Sequence, residues 1–128
     1  MDIEIQTTNT QLKAADDEFV RYRIAFSLED NWPAIDKVLV RIREIPGFDL
    51  EYINQCVVEI RLLDGSTLSG DSTASDLHIA IHRAADRAGT MVARHVELYA
   101  EAVERLEPAG FRTARAVGDY QPDSNRPN

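Results

Sequence analysis

Asp64-Gly65-Ser66-Thr67-Leu68, then Thr73-Ala74-Ser75-Asp76-Leu77, lead into about thirty residues in which Gly89 is the only helix breaker. Asp-Gly between two apolar runs is a tight-turn signal, so residues 51–63 and 66–73 read as an antiparallel hairpin. The second strand then feeds directly into a long final helix, residues 76–106. Ser75 or Thr73 is the expected cap, with Asp76 in the first turn.

Working outward, Cys56, Val58, Ile60 and Leu62 alternate with Gln55, Val57, Glu59 and Arg61, the period of a strand with one covered face. Pro46-Gly47-Phe48-Asp49 breaks the chain before it. Residues 35–45 form another strand, with Val38, Val40 and Ile42 inward and Lys37, Leu39, Arg41 and Arg43 outward. The outward row, with Arg61 and Glu59, reads as an open sheet face carrying cross-strand ion pairs. Ile3, Ile5 and Thr7 alternate with polar residues in a first strand, residues 2–7. After a turn at Asn9-Thr10-Gln11, a helix from Lys13 or Ala14 to Leu28 places Asp16, Asp17 and Glu18 in its first turn, where carboxylates suit the dipole. Its apolar set is Ala15, Phe19, Tyr22, Ile24, Phe26 and Leu28. Asn31-Trp32-Pro33 ends it, with Trp32 packed over the connection to the next strand.

The order is β-α-β-β-β-α. A parallel crossover followed by an antiparallel meander predicts a two-layer α/β sandwich, a four-stranded mixed sheet in order 1-2-3-4 with both helices on one face. In the final helix Leu77, Ile81, Ala84, Ala88, Met91 or Val92, His95, Tyr99 and Leu106 follow the helical period. Such a helix is ~46 Å long at 1.5 Å per residue, more than ordinary strands cover. Val96, Tyr99, Val103 and Leu106 are therefore candidate self-association residues, a homodimer being one way to bury them. Residues 1–107 read as one domain and residues 108–128, which include Phe111, as a flexible C-terminal tail.

The 128 residues carry 14 Lys and Arg against 22 Asp and Glu, a formal net charge of −8. That balance argues against non-specific affinity for nucleic acid or anionic membrane but leaves room for a local basic stripe. The single Cys56 reads as a buried free thiol. No signal-peptide pattern or membrane-span-length apolar run occurs, so a soluble cytoplasmic protein with no membrane partner is expected.

No phosphate-binding glycine loop or hydroxyl nucleophile with a fixed base is present in the sequence, and a non-enzyme without cofactors is expected. His78, His82 and Asp86, at successive fourth positions, have a metal-like spacing but lack the remainder of a hydrolase motif, and no metal site is assigned. Arg83, Arg87 and Arg94 fall on one face of the second helix and Arg21 and Arg23 on the first. They form either a cationic ridge able to contact phosphates or a solvated face, in which Asp86 and Glu97 pair with neighbouring basic residues.

The segments Val58 to Gly65, Asp71 to Gly89 and Val92-Ala93-Arg94, with Ile3-Glu4-Ile5 and Val20 to Leu28, resemble the ribosome hibernation-promoting factors, also called ribosome-associated translation inhibitors or sigma-factor modulation proteins. The resemblance covers about residues 1–106. It implies a double-stranded-RNA-binding-like fold and a stress-response role: binding the small ribosomal subunit and its rRNA and silencing translation in idle cells. Arg21, Arg23, Arg83, Arg87 and Arg94 match the family's basic positions and are the implied RNA-binding residues. Residues 44–51 offer acid where short family members carry a glycine- and arginine-rich stretch. The alternative, motivated by the overhanging end of the final helix and the Phe111 tail, is a divergent protein-interaction or self-associating module of the same fold without ribosome binding.

Overall fold

A computed structural model describes residues 2–49 and 51–106. The element order is β1 (Asp2–Thr8), α1 (Ala14–Leu28), a 3-10 segment (Glu29–Ala34), β2 (Ile35–Pro46), β3 (Tyr52–Leu62), β4 (Thr67–Ala74) and α2 (Leu77–Leu106). The four strands form one sheet in the order β1-β2-β3-β4, with β1 parallel to β2 and the other pairs antiparallel. The β-α-β-β-β-α arrangement read from the sequence is therefore the observed one. The chain divides into two compact units, residues 1–94 and 95–128. The first holds the sheet, α1 and the start of α2. Of the second, residues 95–106 are described, all helical. The expected tail, residues 108–128 with Phe111, lies outside the described residues.

Strand alternation sets the core. Val38, Val40 and Ile42 of β2 pair with Ile60, Val58 and Cys56 of β3, and all six are buried. Ile3 and Ile5 lie beside Val38 and Val40 on the same face. The hairpin turn forms as its sequence dictates: Gly65 adopts a φ of 94°, and the Ser66 amide donates to Asp64 Oδ1 at 2.8 Å. Asn9, the other left-handed residue among those described, has a φ of 60° and turns the chain after β1. Cys56 is buried, which pushes its thiol pKa up to about 12.

The helices depart from the sequence reading in three respects. The buried stripe of α1 is Val20, Ile24 and Leu28, at i, i+4, i+8, whereas Tyr22 and Phe26 are 69% and 60% exposed. The N-cap of α2 is Asp76, not Ser75 or Thr73: its Oδ1 accepts the Ile79 amide at 3.1 Å, and the helix starts one residue later than expected. Glu18 lies beyond the first turn of α1, which holds Asp16 and Asp17. In addition, the connection after α1 is a 3-10 segment in which Trp32 is only partly covered.

Two glycines set how closely the layers approach. A Cβ on Gly70 of β4 would lie 2.7 Å from the Ala88 amide nitrogen and 3.0 Å from the Ala84 carbonyl oxygen, so α2 rests on the β4 backbone. A Cβ on Gly89 would lie 2.8 Å from the Ser27 carbonyl oxygen. The glycine that looked like a helix breaker is where the two helices meet.

Candidate nucleic-acid interface

The helices run side by side and parallel, joined by pairs that ascend together along both. Asp16 meets His78 at 2.9 Å, and the His78 ring stacks on Phe19 with centroids 4.2 Å apart. One turn and more further on, Arg23 spreads its guanidinium over three partners: His82 Nδ1 at 2.9 Å, Ser27 Oγ at 2.8 Å and Asp86 Oδ1 at 3.1 Å. Its side chain is 12% exposed. Because His82 accepts at Nδ1, its ring proton is on Nε2, which lies 3.8 Å from Asp86 Oδ2. Arg23 is thus a clamp between the helices and not a free cation.

Asp16 works at both ends of its carboxylate, since Oδ2 also accepts the Lys13 amide at 3.3 Å. The hydrogen bond from His78 is the main cause that lowers the Asp16 pKa below 3.8. A carboxylate with a depressed native pKa adds stability above its unfolded value, and that contribution is lost as pH falls through the folded value. Asp16→Asn is accordingly expected to lower the urea midpoint at pH 6. The gap from wild type should close as the pH drops below 3.8, and urea titrations at pH 6 and pH 3 read it directly. An unchanged gap would mean that the carboxylate charge is irrelevant.

The five arginines expected to bind RNA separate into two groups. Arg21 bonds Asp17 at 2.9 Å and the Ile3 carbonyl oxygen at 3.0 Å, tying α1 to β1. Arg23 is held in the clamp, and Arg87 donates to the Asp71 carbonyl oxygen at the outer edge of β4. Arg83 and Arg94 are exposed and make no hydrogen bond or ion pair among the described residues. They lie eleven residues apart, about 16 Å along the axis, and within ~20° of one another around it. Arg87 falls between them. From Leu77 to Arg94 the helix carries three arginines and one acid, Asp86, whose carboxylate faces Arg23. Residues 95–106 reverse this, with Glu97, Glu101 and Glu104 against Arg105. Along α2 the glutamates are thus confined to residues 95–106.

His78, His82 and Asp86 are divided between these partners, and no group of three His, Cys, Asp or Glu side chains able to hold a metal ion occurs among the described residues. On the other face of the sheet, Arg41 reaches Glu59 at 3.1 Å and Arg43 Nε donates to Gln55 Oε1 at 2.6 Å, the cross-strand pairing expected there. No described helix is long and apolar enough to cross a membrane.

Solved structures match this chain, among them two that are covered across 99% of their own length. A ribosomal subunit interface protein from Coxiella burnetii superposes with a TM-score of 0.64 at 12% identity, covering 76% of this chain and 99% of that one. The N-terminal domain of Protein Y from Thermus thermophilus gives 0.56 at 21% identity, covering 74% and 99%. The chain shares their fold. No protein-family model and no curated protein matches the sequence.

Proposed function

We propose that this chain is a ribosome-associated member of the hibernation-promoting factor family. In this reading it binds rRNA of the small subunit and silences translation in idle cells, in the cytoplasm and without catalysing a reaction. The observation that carries the reading is the unpaired, exposed Arg83 and Arg94 on a stretch of α2, residues 77–94, whose single acid, Asp86, is engaged by Arg23. Arginine gives bidentate phosphate contacts, and a stripe rather than net charge suffices when those contacts are positioned. The fold shared with a ribosomal subunit interface protein supports the same reading. Arg87 retains part of its guanidinium for solvent beside them, while Arg21 and Arg23 hold the scaffold. Co-sedimentation with purified small subunits tests it: the chain pellets at low salt and is released as salt rises. No pelleting at low salt would refute it.

A second reading, self-association, is favoured by exposed apolar groups in the second unit. Tyr99 is 60% exposed, Leu98 53% and Leu106 65%, and Val96 and Val103 are partly covered. Burying such a stripe is worth ~25 cal/mol per Å². Under this reading the chain sediments as a homodimer at micromolar concentration and Tyr99→Glu converts it to monomer. A wild-type monomer at every concentration would remove the reading.

A further inference from the structure

The outer side of α1 bears a surface that the arginine stripe does not explain. Tyr22 and Phe26, one turn apart, are 69% and 60% exposed, with ring centroids 6.4 Å apart and planes within 20°. With Trp32 and Glu29 they line a cleft of about 430 Å³. Tyr22, Phe26 and Trp32 form a contiguous aromatic surface rather than singly scattered apolar residues, the kind of patch that calls for a partner. What surrounds them selects the partner. Glu29 is in the wall, Glu18 is one turn before Tyr22 on the same side of α1, and Asp30 follows Glu29; none of the three is in an ion pair among the described residues. The nearby cations are already engaged. Arg21 is bonded to Asp17, and Arg23 lies 5.5 Å over the Phe26 ring while bonded to α2.

We propose that this cleft binds arginine or lysine side chains of a basic protein segment. Aromatic faces attract cations, and unpaired carboxylates at the rim add the complementary charge. The unpaired Glu18, Glu29 and Asp30 around the rings disfavour a nucleotide, whose phosphate they would repel. The site lies on α1 rather than on the arginine stripe of α2, so it holds whether or not the chain binds ribosomes.

Trp32 is the only tryptophan, so its fluorescence reports the cleft without a label. The probe is a dodecapeptide of alternating arginine and glycine, titrated into the full chain at about 0.15 M salt, where long-range attraction is largely screened. A saturable change in Trp32 emission is expected, weakened about three- to fivefold by Glu29→Gln and by Tyr22→Ala, both surface changes. Glu4→Gln, on the opposite face of the sheet, should leave the titration unchanged. The proposal is overturned by the absence of a saturable change or by an equal loss in Glu4→Gln, which would reveal only attraction to an acidic chain. It is also overturned if oligouridylate produces the same change, which would make the rings a base-stacking surface.

Discussion

Gly70→Ala is expected to destabilise the protein by about 3 kcal/mol, at the upper end of the range for overpacked cores. The new methyl would meet the Ala88 amide nitrogen at 2.7 Å, the Ala84 carbonyl oxygen at 3.0 Å and the Ala88 Cα at 3.1 Å. These are helix backbone atoms, so no side chain can turn away, and relief requires α2 to lift off β4. Lifting it unpacks Ala84, Ala85 and Ala88, all buried. For a domain of this size each 1 kcal/mol moves the midpoint by roughly 4 °C, giving a fall of about 12 °C. Gly65→Ala is the control. It has open space but a φ of +94°, so backbone strain alone is added and a loss of about 1 kcal/mol is expected. Thermal melts followed by circular dichroism compare the two, and equal losses would show that the close approach of helix and strand is not what Gly70 permits.

Arg23→Met is expected to cost about 2 kcal/mol. The aliphatic stem is retained, so the loss comes from three hydrogen bonds made by a largely covered guanidinium, each worth about 1 kcal/mol net. A discount follows from solvent at the far side, since the Asp86 side chain is 63% exposed. The Arg23→Met/Asp86→Asn double variant should lose less than the sum of the single changes, because the two groups share one interaction. Strict additivity in chemical denaturation would contradict the clamp.

Most of the fold was legible because its signals are local. Asp64-Gly65 specifies its own turn, and Val38-Val40-Ile42 against Cys56-Val58-Ile60 needs only period two. The face of α1 was not legible in the same way. Val20, Ile24 and Leu28 compete with Tyr22 and Phe26 as apolar rows on one helix, and spacing alone does not say which meets the sheet. The same limit applies to the arginines. Arg83, Arg87 and Arg94 share a helical face that the sequence displays, but two of the three partners of Arg23 are 59 and 63 residues away, so its structural use emerges only when the helices are side by side. The Asp76 cap was within reach of sequence reasoning, since aspartate is as good a cap as serine and stands directly before Leu77.

Under the proposed function α2 presents Arg83 and Arg94 to ribosomal RNA while Arg23 serves the fold. Co-sedimentation of three proteins with small ribosomal subunits, at low temperature across a salt series, tests it most directly. Arg23→Met is predicted to pellet like the wild type, with the same salt dependence. Arg83→Glu/Arg94→Glu is predicted to stay in the supernatant or to bind with a salt slope shallower by about two phosphate contacts. Pelleting of the double variant indistinguishable from wild type, or loss of binding in a folded Arg23→Met protein alone, would contradict the assignment.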